Sequence, residues 1–172
     1  MAFFRIKKIK GKEYAYLVEN EWSKKGSRQT VKGYLGKIHR FQLKNDVGFL
    51  QHLGIGNFEN YVNENDASKI IYDLFEWEFF KFGISKEEFS LDLDERRIQQ
   101  HNKKIVLLIN DGYMCNLTLK NLLDFKSEND EEKDGYMYAR AFVEAGIKVP
   151  QEVFVGLFGK LYKTKEEVKE NG

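Results

Sequence analysis

The chain is predicted to be an α+β protein, with an N-terminal three-stranded antiparallel sheet packed on a mixed helical part that carries a second β-hairpin. Three observations predict this. Apolar residues recur at every second position through the first forty residues, they recur mostly at helical spacing after Arg40, and the charge balance changes sign at the same point. The organisation follows: residues 1–40 form a basic β-sheet element, residues 41–165 the mixed α+β part, and residues 166–172 a frayed polar tail.

Phe3 to Ile9, Tyr14 to Glu19 and Arg28 to Leu35 are rich in aromatic and β-branched residues. Lys10-Gly11 and Ser23 to Ser27 break them, as hairpin turns do. Strict alternation sorts the side chains into two faces. Phe4, Ile6, Ala15, Leu17, Val31 and Leu35 fall on the dry face, and Arg5, Lys7, Tyr14, Tyr16, Arg28, Lys32 and Tyr34 on the wet one. A sheet so small is unstable alone, so its dry face needs a partner later in the chain.

Beyond Arg40, Asp46 is expected to cap a short helix that stops at Gly54, and Asn65 or Asp66 to open a longer one that ends at Gly83. Alternation returns over Phe89 to Asp94, with Arg96 to Gln99 as its continuation. His101-Asn102 then makes a turn into a strand from Lys103 to Asn110. Helices are expected over 117–125, 132–145 and 151–162, the last with Pro150 in its first turn.

A length of 172 residues with 42% hydrophobic and 15% aromatic content suffices for one buried core. The single cysteine, Cys115, leaves no partner for an intrachain disulfide and excludes a zinc site built from several thiolates. With no signal peptide read at Met1, a reducing, cytoplasmic setting is expected. The longest apolar run, Ile105 to Ile109, has the length of a buried strand and is far too short for a membrane span.

Net charge is only +1, but it is unevenly placed. Residues 1–40 hold eleven Lys or Arg against Glu13, Glu19 and Glu21, a balance of +8, and the remainder carries 17 basic and 24 acidic residues. Such asymmetry points to a polyanion as partner. Cations neutralise phosphates and release counterions, while neighbouring tyrosines stack on bases or bond to the backbone. The expected nucleic-acid contacts are Arg5, Lys7, Tyr14, Tyr16, Arg28, Lys32 and Tyr34, with Lys24 and Lys25 reaching a flanking phosphate from a loop tip. The bland reading is that lysines on a small sheet prevent edge-to-edge aggregation, but +8 exceeds what that requires.

The run Phe4-Arg5-Ile6-Lys7-Lys8-Ile9-Lys10-Gly11, then Tyr14 to Glu19, then Arg28-Gln29-Thr30-Val31-Lys32-Gly33-Tyr34-Leu35-Gly36-Lys37 resembles the N-terminal segment of DDE-type insertion-sequence transposases. The resemblance spans about the first 37 residues and implies DNA binding. It does not imply transposition, because the remainder is too short for a ribonuclease-H-like core and its three carboxylates find no counterpart here. A stand-alone binding protein is implied, with DNA ahead of RNA or a ribosome-associated role. A protein partner for the acidic helical part is the third reading.

For an enzyme, Asp92, Asp94, Glu95, His101 and Asp111 are the best candidates. Carboxylates alternating on a strand share a face and can hold Mg²⁺ for phosphodiester cleavage. The plainer reading is an amphipathic strand that buries Leu91 and Leu93 and shows its aspartates to water. His39, His52 and His101 lack ligand spacing. Cys115 reads as a small core residue, Trp77 as core, and Gly54-Ile55-Gly56 as a loop without the Lys-Ser or Lys-Thr of a phosphate-binding turn. Glu128 to Asp134, with five acids and one lysine, reads as a solvated loop. The chain is therefore expected to use no metal or cofactor and not to be an enzyme.

Overall fold

The structure is a computed structural model that describes the backbone of residues 1–170 and the side chains of residues 1–162. The chain begins with three long strands, β1 (Ala2–Ile9), β2 (Lys12–Ser23) and β3 (Gly26–Arg40). Helices α1 (Phe49–Leu53), α2 (Phe58–Glu64) and α3 (Ala67–Phe82) follow. Short strands β4 (Ser90–Asp92) and β5 (Arg97–Gln100) lead to β6 (Lys103–Ile109) and β7 (Gly112–Met114). Helices α4 (Asn116–Leu123), α5 (Glu131–Glu144) and α6 (Gln151–Glu170) complete it.

The α+β class and all three N-terminal strands agree with the sequence reading. The attachment between the two parts does not. The three-stranded sheet is not a separate layer packed on the helical part: β3 pairs in parallel with β6, from Lys37 opposite Ile105 to Arg40 opposite Leu108. One seven-stranded mixed sheet results, ordered β1-β2-β3-β6-β5-β4 with β7 also on β6, and it crosses the division expected at residue 40. A parallel partner 68 positions away leaves no local signal in β3, which is why alternation alone could not reveal it.

Lys10-Gly11, His101-Asn102 and Asn110-Asp111 each place two consecutive residues at positive φ between paired strands. That is the geometry of two-residue hairpin turns, in which Gly, Asn and Asp are favoured. The β7 strand after the third of these turns, and α2, were not expected. Helix α1 starts after Gly48, not at Asp46. Asp66 does cap α3, accepting from the Lys69 backbone N–H at 2.8 Å. The last helix extends past the expected residue 162 to Glu170, so the expected tail begins inside it, and residues 171 and 172 lie outside the described residues.

The larger core joins α3 to one face of β6. Ile70, Leu74 and Phe75 pack in the same cluster as Ile105, Leu107 and Ile109, together with Phe142 of α5 and Leu157 of α6. A buried polar hub ties this core to two loops. Glu78, with no exposed surface, pairs with Lys81 at 2.9 Å and accepts from Asn110 Nδ2 at 2.9 Å and from the Lys148 backbone N–H at 2.8 Å. Trp77 lies beside it as core, its ring 3.8 Å from Lys81 Nζ. Such a charge is tolerable inside a protein only because its bonds are satisfied.

A second, smaller core lies on the opposite face of β6. It contains Ala15, Ile38, Val106 and Cys115, with Phe4, Ile6, Leu35 and Tyr113 against it. Phe4 on β1 meets Tyr113 on β7 edge to face at 5.4 Å, although β2, β3 and β6 separate those strands in the sheet. The sheet is therefore curled, with β1 and β2 folded over β7.

Gly36 marks the bend. Its φ is +143°, and a Cβ there would lie 2.6 Å from the Ile105 Cα and 2.7 Å from the Lys104 carbonyl oxygen. Only glycine lets β3 approach β6 so closely.

Candidate nucleic-acid interface

The curl gives β1–β3 a concave inner face that holds the small core and a convex outer face. Side chains are assigned to these faces by cross-strand register, since directly paired residues share a side. Arg5 pairs with Tyr16 and Tyr16 with Tyr34, while Lys7 pairs with Tyr14 and Tyr14 with Lys37. Alternation places Lys12 with Tyr14. Four cations, Arg5, Lys7, Lys12 and Lys37, thus surround Tyr14, Tyr16 and Tyr34 on the outer face.

All three acids of the segment turn to the inner side, as do the remaining strand cations. Glu13 faces Lys8 and binds Arg40 Nε at 2.5 Å, and Glu21 is opposite Arg28. Lys32 reaches Glu21 at 2.8 Å and Glu19 at 3.4 Å. The bond from Lys32, then that from Thr30, holds the Glu21 carboxyl below its ordinary range. Lys10, Lys24 and Lys25 occupy turns.

Of the expected contact residues, the structure brings together Arg5, Lys7, Tyr14, Tyr16 and Tyr34. It places Arg28 and Lys32 on the other face, a correction to strict alternation. Ladder pairing shifts between Ala15 and Tyr16 and again between Leu17 and Val18, leaving Leu35 and Lys32 as extra residues in β3. Each bulge reverses the parity of what lies beyond it. Val31, expected on the dry face, therefore pairs with Val18 on the outer one and is 50% exposed. The same resetting brings in Lys37, which sequence reasoning missed. Lys12 was legible from its alternation with Tyr14 but was not used.

The tyrosine row is closely set. Tyr16 and Tyr34 have ring centroids 5.4 Å apart, Tyr14 and Tyr34 6.5 Å, and Lys7 Nζ lies 5.0 Å from the Tyr16 ring. Burial, then the neighbouring Tyr16 and Tyr14, pushes the Tyr34 hydroxyl above its ordinary range, so it remains a protonated donor. Arg5 donates to Gln29 across β2, while Val18 on that face has no exposed surface.

Beyond Glu19 the sheet narrows to two strands. β1 pairs only as far as Glu19, whereas β2 and β3 continue together to Ser23 and Gly26, and every residue from Asn20 to Gln29 is exposed. Lys24 and Lys25 are the tip of this ribbon, at the far end from Tyr14. Trp22, on the same side as Tyr16 by alternation, is 83% exposed. Sequence reading passed over it, because one tryptophan among polar residues carries no periodic signal.

The enzyme candidates do not converge. His101 and Asp111 sit in turns at opposite ends of β6, about 20 Å apart at the usual strand rise. Asp92 accepts from the Glu95 backbone N–H at 3.0 Å, closing a turn. Asp92 and Asp94 line a groove of about 730 Å³ with Arg96 and Lys86, whose charges are held by Asp124 at 2.8 Å and Glu76 at 2.6 Å. Among the described residues no three His, Cys, Asp or Glu side chains are grouped to hold a metal. Cys115 is fully buried in the small core, and burial pushes its thiol up.

The acidic run is partly structural. Asp130 caps α5 by accepting from the Lys133 N–H at 3.1 Å, and Asp134 is buried. Asp134 accepts from the Glu128 N–H at 2.9 Å, from Ser127 and from the Tyr162 hydroxyl at 2.7 Å.

No family model, no characterised protein and no solved structure matches the chain. Among the described residues no helix is long and apolar enough to cross a membrane.

Proposed function

We propose that this protein binds nucleic acid through the outer face of β1–β3, with DNA as the first candidate. The observation that carries the reading is the sorting of charge. Arg5, Lys7, Lys12 and Lys37 share the outer face with three tyrosines, while Glu13, Glu19 and Glu21 turn inward and are matched there by Lys8, Arg28, Lys32 and Arg40. Edge protection alone would not separate the signs in this way. An outward field of one sign attracts phosphates and loses strength as salt rises. The resemblance of residues 1–37 to transposase DNA-binding segments supports DNA, and the exposed tyrosine row supports RNA as the second reading.

Salt-dependent fluorescence anisotropy with labelled DNA and RNA tests the proposal. Four phosphate contacts give a slope of log K against log salt of roughly −3 to −4. Lys7→Ala and Lys37→Ala should each flatten that slope by about one phosphate equivalent, or roughly 0.7 to 0.9. Lys32→Ala, whose lysine is held by Glu19 and Glu21, should leave it unchanged. Equal flattening by Lys32→Ala and Lys37→Ala would remove the outer face as the contact surface.

A further inference from the structure

We infer that the ligand of the outer face is a single strand of nucleic acid whose unpaired bases stack along an aromatic track from Tyr14 to Trp22. This rests on the nucleic-acid reading above and specifies its substrate class. Tyr14, Tyr16 and Trp22 lie on one side of β2 at intervals of two and six residues, and Tyr34 adjoins from β3, 5.4 Å from Tyr16 and 6.5 Å from Tyr14. Four cations flank the tyrosine end, and Lys24 and Lys25 flank the tryptophan end. From Lys12 to Trp22 the strand runs about 33 Å at the usual rise. That is an extended path with charge along it and rings upon it, which suits strands bound by backbone tracking and base stacking over roughly 4 to 16 nucleotides.

Two features favour an unpaired strand over a duplex. A duplex hides the faces of its bases within its own stack, so a row of rings at the centre of the positive surface would meet only sugar and phosphate. Trp22 adds the second. An indole 83% exposed on a ribbon whose residues 20–29 are all exposed contributes nothing to either core. Its large apolar surface gains only when a flat partner covers it.

The chain has two tryptophans, and Trp77 is 7% exposed and donates Nε1–H to the Val47 carbonyl at 2.8 Å. Contact quenching of intrinsic fluorescence therefore reports on exposed Trp22, with buried Trp77 as the background that Trp22→Phe measures. The full chain is titrated with dT12, rU12 and a twelve-base-pair DNA duplex at low and moderate salt. The expected result is quenching by dT12 that disappears in Trp22→Phe, with dT12 bound more tightly than the duplex. Trp22→Ala and Tyr34→Ala should each weaken dT12 binding roughly ten- to a hundredfold, as loss of one stacked base does, and change duplex binding less than threefold. Tighter binding of rU12 than of dT12 keeps the stacked strand and overturns the preference for DNA. Duplex binding stronger than dT12 binding, with unquenched Trp22, overturns the inference and leaves the nucleic-acid reading standing. Retention of none of the three at low salt overturns both.

Discussion

Substituting Gly36 by alanine should destabilise the protein by about 2 to 6 kcal/mol, a range that follows from two separate costs. At φ +143° an L side chain is strained whatever space surrounds it, and a residue held in such a conformation costs about 1 to 3 kcal/mol. The added methyl would also meet the backbone of β6, with the Ile105 Cα at 2.6 Å and the Lys104 oxygen at 2.7 Å. Backbone cannot rotate away as a side-chain end can, so overpacking adds about 1 to 3 kcal/mol. Against the 5 to 15 kcal/mol typical of whole domains, the upper part of that range leaves little folded protein. Urea unfolding followed by far-UV circular dichroism measures the difference. Gly33→Ala provides the internal control, because a Cβ at Gly33 meets nothing within 4 Å, and it should change stability by no more than about 0.5 kcal/mol. If the Gly36 variant lost less than about 1 kcal/mol, or the two variants behaved alike, the close approach of β3 to β6 and the curl built on it would be refuted.

Glu78→Ala should cost about 3 to 5 kcal/mol in the same assay, because it strands Lys81 and leaves Asn110 and the Lys148 N–H without their carboxylate; a loss under about 1 kcal/mol would show the hub to be dispensable. Hydrogen bonds from the Glu128 N–H and then Ser127 hold the Asp134 carboxyl down at about 2. A depressed carboxylate contributes stability that is complete above its unfolded value near 4 and is lost as pH falls towards 2. Acid unfolding of Asp134→Asn should therefore be flatter across that window than that of the parent, and parallel curves would contradict the assignment. Lys32→Ala should move neither the urea midpoint nor the salt slope of DNA binding, since its partners Glu19 and Glu21 stay solvated.

Local chemistry made much of the fold legible. The Lys10-Gly11 and His101-Asn102 turns, the Asp66 cap and the apolar spacing of α3 each announce themselves within a few residues. The parallel pairing of β3 with β6 does not, since neither strand carries a mark of the other. The site was half legible for a related reason. Alternation finds Arg5, Lys7, Tyr14 and Tyr16 because β1 and the start of β2 pair without interruption. It holds back to Tyr34 and fails from Lys32 backwards along β3, where the inserted residue after Val31 exchanges the faces and sends Lys32 and Arg28 to the acids. Bulges are responses to curvature, and curvature belongs to the assembled sheet, so no window of β3 contains the reason for them. Trp22 was invisible for the opposite cause: it fits no pattern because it belongs to no core.

The two-stranded projection past Glu19 adds no residue to either core, and Arg5 with Gln29 and Lys32 with Glu21 tie it to the sheet only through exposed polar contacts. Evolution or an engineer could lengthen it, shorten it or rewrite its letters while the scaffold beneath kept its melting behaviour. On the nucleic-acid reading proposed above, footprint and selectivity would then be adjustable separately from foldability, as suits a surface whose target changes faster than its frame.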